Sequence, residues 1–382
     1  MPRHPIPTPS VAAMPGAVFS RLAHKIAAFD GEVFPLHVGD TWMEPFEGAR
    51  MQDFHVEDHP GMHRYSSPQG MPDLRKALIE KLQDRNHLPV DKEGVLVGAG
   101  ATGVLGAAIG MLASPGEEVL ILAPFWPLIR GIVSTFRATP VEVPFYGNVT
   151  SAEEACRAIE AAISPRTVAI YVSTPSNPTG RLIPEDWLVA IAALARRKDL
   201  WILSDEVYEN LVYRGQHVSI GRFAPERTFS AFSFSKSYGM AGNRIGYLAG
   251  PSALIKECAK VSRHTFYSAP TAGQMAALSA LREGGAWLEN ARNSYEQTGN
   301  LAADILGVPR PAGGTFLFLD VGSQLDERGI FGFLEDCLDD GLLLAPGPSF
   351  GQGCEKHVRV CFTSAPPDRV EEAVTRLARR LA

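Results

Sequence analysis

Short apolar segments alternate with helix-like segments through the middle of the chain, and this alternation limits the folds that it can adopt. The apolar segments are only five or six residues long and are apolar on both faces: Glu118–Ala123, Val168–Ser173, Leu200–Ser204, Thr228–Ser233 and Ile245–Ala249. Such strands are typical of a buried parallel sheet. Pro184 begins one intervening helix, in which apolar residues from Trp187 to Leu194 fall at helical spacing. The pattern predicts an α/β fold with a mainly parallel central sheet that helices cover on both sides.

The C-terminal part of the chain has a different pattern. Thr315–Asp320 and Val358–Phe362 are predicted to be strands, and Ile330–Leu338 and Pro367–Leu381 to be helices. This α+β pattern predicts a smaller second domain, and a length of 382 residues is enough for two or three domains. We predict an N-terminal arm and segment joining the small domain over residues 1–50, a large cofactor-binding domain over 51–284 and a small domain over 285–382.

Composition and charge exclude several classes of protein. The formal net charge of −6 disfavours a nucleic-acid-binding protein, which usually carries a strongly basic face. The apolar stretch from Val104 to Ala113 is far shorter than the roughly 20 residues that a membrane-spanning helix needs. The five cysteines are scattered, which disfavours a disulfide framework and a zinc site of ordinary spacing. His55, His59 and His63 fit a solvated loop better than a metal site, so we expect a metal-free cytoplasmic protein with free thiols.

Lys236 is the residue with the most informative surroundings. It follows a predicted strand in a mostly apolar segment, and burial lowers the pKa of an amine and makes it a nucleophile toward a carbonyl group. The hydroxyls of Ser233 and Ser235, together with Arg244, could hold a phosphate group. Taken alone, a lysine after a strand is most often structural or exposed to solvent.

Polar residues also follow two other predicted strands. Asp205 and Tyr208 come at the end of one strand, and ligands of open α/β sheets bind at the carboxyl ends of strands. A buried carboxylate there needs a cationic partner, which a protonated ring nitrogen would supply. Asn177, before Pro178, would present its amide at the same edge. The alternatives are a helix-capping aspartate, a core tyrosine and a simple turn.

A turn of small residues from Gly98 to Gly103 leads into a predicted helix. Such a turn can present backbone N–H groups and the positive end of the helix dipole to an anion. Most short glycine runs only make tight turns, so this signal is weak by itself.

Together these motifs resemble those of the fold-type I pyridoxal-phosphate (PLP) enzymes, specifically the class I/II aminotransferase family that includes aspartate aminotransferase. The resemblance runs from about Leu36 to the C-terminus and rests on eight motifs in order: Tyr65 with Gly70, Leu74 and Arg75; Gly100-Ala101-Thr102; Pro124, Trp126 and Pro127; Asn177-Pro178-Thr179-Gly180; Asp205 with Tyr208; Ser233 with Lys236; Arg244 with Gly246; and Arg359.

This resemblance implies a role for each residue around the cofactor ring. Lys236 would hold pyridoxal 5'-phosphate as a Schiff base and later move a proton between Cα and C4′ of the substrate and cofactor. Asp205 would keep the pyridine nitrogen protonated, so that the ring accepts electrons. Tyr208 and Asn177 would hydrogen-bond the phenolic oxygen, and Trp126 would stack on the ring.

The resemblance also implies how the phosphate and the substrate are held. The phosphate would contact Gly100, Ala101, Thr102, Ser233 and Arg244. Tyr65 would reach the same phosphate from the partner subunit of a homodimer with shared active sites. Arg359, assisted by Asn177, would bind the substrate α-carboxylate, and the backbone of Gly39 would approach that carboxylate.

The implied activity is that of an aminotransferase, which moves an amino group from an amino acid to a 2-oxo acid. The segment from Gly39 to Pro45 departs from the family pattern, and the sequence places no second arginine for a distal carboxylate. A neutral or aromatic donor is therefore weakly favoured. The alternatives on this fold are a PLP-dependent lyase, decarboxylase or oxidase and, in another class, a non-catalytic PLP-binding sensor.

Overall fold

A seven-stranded sheet forms the centre of the larger part of the molecule, in the order β1-β7-β6-β5-β4-β2-β3. The computed structural model describes residues 4, 6–14, 16 and 22–382, so residues 1–3, 5, 15 and 17–21 of the predicted N-terminal segment lie outside it. The strands of this sheet are β1 (Val95–Ala99), β2 (Glu118–Ala123), β3 (Thr139–Pro144), β4 (Thr167–Ser173), β5 (Trp201–Asp205), β6 (Thr228–Ser233) and β7 (Ile245–Ala249).

Helices follow most of the strands. In the described part of the chain they are α1 (Pro9–Ala12), α2 (Ala23–Ala28), α3 (Pro72–Asp84), α4 (Gly100–Leu112), α5 (Leu128–Thr135), α6 (Ala152–Ala161), α7 (Glu185–Arg197), α8 (Phe234–Ser237), α9 (Ser252–Thr265), α10 (Thr271–Glu283), α11 (Gly285–Leu306), α12 (Gly329–Asp339) and α13 (Pro367–Leu381). None of these helices is both long enough and apolar enough to cross a membrane.

Both faces of the large sheet are buried. Neighbouring residues on one strand belong to different apolar clusters: Leu120 packs with Ile202 on one face, and Ile121 packs with Leu203 on the other. This two-sided burial explains why the strands are continuous apolar runs rather than alternating ones.

The predicted strands are confirmed to within one residue at each end, but one orientation is different. Strand β7 runs antiparallel to β6 and β1, whereas β2, β3, β4, β5 and β6 are parallel. The expectation of a parallel strand at Ile245–Ala249 is therefore wrong. Residues 234–244 are too few for a parallel crossover, which takes about a dozen residues or more.

The C-terminal part contains a second, antiparallel sheet of three strands in the order β8-β10-β9. Its strands are β8 (Phe316–Asp320), β9 (Ala345–Pro346) and β10 (His357–Cys361). The N-terminal segment lies against this part, because Phe34 pairs with Leu342 and the N–H of Cys361 donates to the carbonyl of Leu36 at 2.7 Å. The division at residues 50 and 284 stays a prediction.

Candidate active site

A cavity of about 310 Å³ lies at the carboxyl ends of β4, β5 and β6, beside the small sheet. Most of the residues that the sequence analysis singled out line it: Gly39, Ala101, Thr102, Trp126, Asn177, Asp205, Tyr208, Ser233, Lys236, Arg244 and Arg359. Gly100 lies next to this wall, against the Arg244 guanidinium, and Tyr65 lies elsewhere. The topology explains the convergence, since neighbouring parallel strands end at the same edge of the sheet.

Lys236 extends from α8, the short helix that begins where β6 ends. Its Nζ donates a hydrogen bond to the carbonyl oxygen of Gly39 and lies 3.7 Å from Oδ1 of Asp40. The side chain is 17% exposed, and burial lowers the pKa of this amine, an effect that Asp40 partly opposes. Lys236 is therefore a buried amine that loses its proton more readily than an exposed lysine, which makes it a potential nucleophile.

Asp205 ends β5, and its buried carboxylate accepts a hydrogen bond of 2.5 Å from the hydroxyl of Tyr171. Burial raises the pKa of Asp205 to about 6, although the hydrogen bond from Tyr171 acts in the opposite direction. No lysine or arginine forms an ion pair with this carboxylate in the described part of the chain. A buried carboxylate without a cation is stabilised by a ligand that brings a positive charge.

Tyr208 lies three residues after Asp205 and packs edge-on against Phe316, with ring centroids 5.9 Å apart. Its side chain is 3% exposed, and burial raises the pKa of the hydroxyl, so the phenol is neutral and can donate a hydrogen bond. The neighbouring Asn177 is also buried. These two side chains offer neutral donors to an oxygen atom inside the cavity.

The turn between β1 and α4 leaves room for an anion. Gly100 has a φ of +70° and directly follows Ala99, and helix α4 presents its N-terminus toward the cavity at Ala101 and Thr102. A Cβ atom on Gly246 would lie 2.5 Å from the backbone of Gly100 and of Ala101, so only glycine fits there. Backbone N–H groups and the helix dipole at this position favour a negatively charged group.

Two further groups surround the same anion position. The Arg244 guanidinium donates to the carbonyl of Ala241 at 2.9 Å, and the side chain lines the cavity. The hydroxyl of Ser233 lies 2.9 Å from that of Ser235 at the start of α8. A cation, two hydroxyls and a helix N-terminus together form a site that suits a phosphate.

Arg359 on β10 is a buried guanidinium that is held from several sides. Its Nη1 donates to Oδ1 of Asn177 at 2.9 Å, and its Nη2 donates to the carbonyl of His37 at 2.8 Å. The guanidinium carbon lies 4.0 Å from the ring centre of Phe316. Its Nε is buried and has no hydrogen-bond partner among the described residues. A Cβ on Gly39 would lie 2.8 Å from Phe316, so glycine lets the loop approach this clamp.

Tyr65 does not line this cavity in a single subunit. Its side chain is 84% exposed and packs against Tyr267, with ring centroids 4.8 Å apart. It borders a separate hollow beside Arg64 and Phe266. The expectation that Tyr65 serves the active site of a partner subunit stays a prediction.

Several residues of the cavity wall belong to none of the sequence motifs, among them His37, Leu128 and Phe350. His37 lies two residues before Gly39 and Leu128 two residues after Trp126, so proximity to a motif could have suggested them. Phe350 had no such signal, because the fold brings it from the C-terminal part of the chain, between β9 and β10. Burial and then the charge of Arg359 lower the pKa of His37 to about 4, so its imidazole is neutral at neutral pH.

A buried polar cluster lies on the other side of the turn that carries Asp205 and Tyr208. Glu206 is fully buried and accepts hydrogen bonds from the hydroxyl of Ser219 and from Nε2 of His217, the latter at 2.8 Å. Burial raises the pKa of Glu206, but these hydrogen bonds outweigh burial and lower it overall. Glu206 is therefore an ionised carboxylate that fixes the backbone next to Asp205.

The same cluster continues to Glu209, which follows Tyr208. Nζ of Lys81 lies 2.5 Å from Oε1 of Glu209, and Nδ2 of Asn86 donates to its Oε2 at 2.7 Å. Asn86 also donates to Ser219 at 3.1 Å and so joins the two glutamates into one network. We call Glu206, Glu209, Lys81, Asn86, His217 and Ser219 the supporting network.

These groups fit the cofactor that the motifs imply. Lys236 provides an amine for an aldehyde, Asp205 a carboxylate without a cation for a protonated ring nitrogen, and the Gly100 turn a position for a phosphate. Among the described residues, no three His, Cys, Asp or Glu side chains are grouped so that they could hold a metal ion.

Comparisons with known proteins agree on one family. The model of the family "Aminotransferase class I and II" matches residues 32–377. The chain is 35% identical over 332 residues to the aspartate/prephenate aminotransferase of Thermus thermophilus, covering 84% of each chain. It is 32% identical to the aromatic-amino-acid aminotransferase 2 of Thermococcus litoralis, covering 84% of this chain and 85% of that protein. A double mutant of Thermus thermophilus aspartate aminotransferase superposes with a TM-score of 0.90 and 31% identity, over 99% of this chain and 100% of the other.

Proposed function

Since the chain belongs to the class I and II aminotransferase family, we propose that Lys236 is the residue that binds its cofactor and that Arg359 binds its amino acid substrate. The protein is a PLP-dependent aminotransferase of fold type I, a transferase of nitrogenous groups that acts on amino acids and 2-oxo acids. The convergence of Lys236, Asp205 and Arg359 on one cavity carries the residue assignment. The relatives named above are aminotransferases, which favours transamination over the lyase, decarboxylase, oxidase and sensor alternatives.

When bound, pyridoxal phosphate supplies an electron sink for the bonds at the substrate Cα. Nζ of Lys236 would move the proton between Cα of the substrate and C4′ of the cofactor. Asp205 would keep the ring nitrogen protonated, and Tyr208 and Asn177 would donate hydrogen bonds to the phenolic oxygen. Trp126, which lines the same cavity, would pack against the ring. Together these side chains would hold the reacting groups in position.

Gly100, Ala101, Thr102, Ser233 and Arg244 would hold the phosphate group of the cofactor at the N-terminus of α4. The closeness of Gly246 to this turn supports the assignment, because the turn can only adopt this position beside a residue without a side chain.

The donor class follows from the groups that remain on the cavity wall. The lysine and arginine residues of the described cavity wall are Lys236, Arg244 and Arg359. Each of them is already assigned to the cofactor or to the α-carboxylate of the substrate. The neutral imidazole of His37 and apolar groups such as Leu128 and Phe350 face the remaining space. We infer a donor with a neutral or aromatic side chain.

We further infer a homodimer in which Tyr65 reaches the phosphate of the partner subunit. Its 84% exposure and its place outside the cavity of its own subunit support this role. A cytoplasmic location is in keeping with five cysteines that are all unpaired.

The test is a single half-reaction with a panel of donors. Purified protein is loaded with pyridoxal phosphate, freed of excess cofactor, and mixed with phenylalanine, leucine or aspartate. We expect one equivalent of 2-oxo acid per active site and no ammonia, with aspartate at least about tenfold slower at equal low concentration. Release of ammonia would contradict transamination, and a preference for aspartate would contradict the donor class.

A further inference from the structure

Asp40 places a carboxylate next to the reactive amine of the site. Its Oδ1 lies 3.7 Å from Nζ of Lys236, and the aspartate side chain is 48% exposed while the lysine side chain is 17% exposed. Asp40 follows Gly39, whose carbonyl oxygen accepts a hydrogen bond from the same amine. In the apo chain Lys236 therefore faces one charged and one neutral acceptor, both from a single loop.

The Asp40 loop is anchored so that its carboxylate keeps this position. The N–H of Thr41 donates to Oδ1 of Asp40 at 2.9 Å. The backbone carbonyl of Asp40 accepts a hydrogen bond of 2.7 Å from the hydroxyl of Thr363 and a longer one from the thiol of Cys361, at 3.5 Å. A carboxylate oriented in advance stabilises a neighbouring positive charge without the cost of reorganisation.

We propose that Asp40 is a further catalytic residue, the counter-ion that stabilises the protonated form of Lys236 while this amine carries the proton of the donor Cα. The proposal rests on the function proposed for Lys236. In the step concerned, the Cα–H bond of the donor breaks and its proton binds Nζ. The electron pair of that bond passes to the electron sink of the bound cofactor. The neutral amine becomes an ammonium group, and Asp40 provides the negative charge opposite it.

Asp40 is the carboxylate near Lys236 that is available as a counter-ion. Burial disfavours the ammonium form most strongly and Arg359 disfavours it further, whereas Asp40 and Cys361 favour it. Asp205 and Tyr208 line the same cavity, where the proposed function assigns both to the cofactor ring. Asp40 is thus the carboxylate that lies beside the amine and has no other partner in the proposed reaction.

A labelling experiment on the full chain without cofactor tests this pairing directly. Lys236 is acylated with acetic anhydride at a fixed pH below the pKa of the amine, and the labelled peptide is quantified by mass spectrometry. Because only the neutral amine reacts, we expect Asp40→Asn to label Lys236 about fivefold faster than the wild type. Glu47→Gln removes the same charge from an exposed residue seven positions further along the chain and should leave the rate unchanged. Equal rates in Asp40→Asn and wild type would overturn the proposal.

The loaded enzyme supplies an independent measurement. Loss of the counter-ion weakens Lys236 as a base, so Asp40→Asn should lower kcat about tenfold and increase the isotope effect with an α-deuterated donor. Asp40→Glu should bring kcat and the isotope effect most of the way back to the wild-type values. If Asp40 had a purely structural role, the isotope effect would be unchanged in Asp40→Asn, and this result would contradict the proposal. If Lys236 binds no cofactor, the proposed function fails, but the labelling comparison still reports whether Asp40 controls this amine.

Discussion

Arg359 on the small sheet donates a hydrogen bond of 2.9 Å to Asn177 at the end of β4 in the large sheet, across 182 residues of chain. The second guanidinium nitrogen donates to the carbonyl of His37, which belongs to the N-terminal segment. The clamp therefore unites three separate parts of the chain. It is completed only when the small sheet is seated beside the carboxyl ends of the large one.

Replacing Arg359 by lysine should raise the KM for the donor about 10- to 100-fold, because the ammonium cannot make the paired hydrogen bonds of a guanidinium to a carboxylate. Steady-state kinetics with the best donor of the panel measure this. Arg310→Lys is the matched control, since Arg310 forms an exposed ion pair with Asp304. An unchanged KM in Arg359→Lys would mean that the carboxylate binds elsewhere.

Asp205→Asn should stabilise the chain without cofactor and impair the enzyme. Burial raises the pKa of this carboxyl to about 6 from its ordinary value of 3.8, so its ionised form is disfavoured in the folded state. Asparagine removes this cost, and the free energy of unfolding at pH 7.5 should rise by about 3 kcal/mol. With cofactor loaded, kcat should fall about 10²- to 10³-fold. Urea unfolding and steady-state kinetics check the two parts.

The pH dependence of that stability has a definite sign. The folded chain binds the Asp205 proton more tightly than the unfolded chain, so the contribution of Asp205 to stability is full below pH 3.8 and is lost as the pH rises through about 6. In urea unfolding of the cofactor-free proteins, the stability difference between Asp205→Asn and wild type should grow across this window. A difference that shrinks there would contradict this account, because it would show that a positive charge in the folded chain stabilises the ionised form of Asp205.

The backbone of the active site could be predicted from the sequence because it depends on local signals. The runs that form β5 and β6 end at Asp205 and Ser233, and the run that forms β4 is followed by Asn177. The order of strands and helices implies that these ends meet. Contacts between segments that are far apart in the chain could not be predicted, because no local pattern encodes them. Asp40 meets Lys236, and Phe350 enters the cavity, through folding of segments that are far apart in the chain.

The existence of β3 and the direction of β7 could not be predicted from the apolar pattern either. Strand β3 has prolines near both ends and lies at the edge of the sheet, where such residues are tolerated, so its sequence lacks the pattern of a buried strand. The direction of β7 depends on the length of the connection from β6, and the apolar pattern of a strand contains no information about that length.

Gly246→Ala should displace the phosphate turn. Its Cβ would lie 2.5 Å from the backbone of Gly100 and Ala101, a distance that neither chain segment can tolerate without moving. We expect cofactor affinity to fall at least about tenfold and stability to fall by about 1–3 kcal/mol. Gly242→Ala, in the turn that precedes β7, is the control, because its Cβ would enter open space. Equal affinities in the two variants, measured by cofactor titration, would contradict the phosphate assignment.

The supporting network should control stability more than any exposed ion pair. Glu206→Leu leaves His217 and Ser219 buried without their acceptor, so it should destabilise the protein by about 3–5 kcal/mol. Arg196→Gln breaks a pair of hydrogen bonds to Glu226 at the surface and should cost no more than about 1 kcal/mol. Urea unfolding compares the two, and a similar loss in both would mean that the buried carboxylate is not a main stabilising element.

The central claim is that Lys236 binds the cofactor, and one measurement tests it most directly. The loaded protein is reduced with borohydride, digested, and searched by mass spectrometry for the peptide that carries the phosphopyridoxyl group. We predict that this group is found on Lys236 and that Lys236→Ala, which keeps the rest of the cavity, retains none after reduction. A label on another lysine, or an equal yield from Lys236→Ala, would contradict the account.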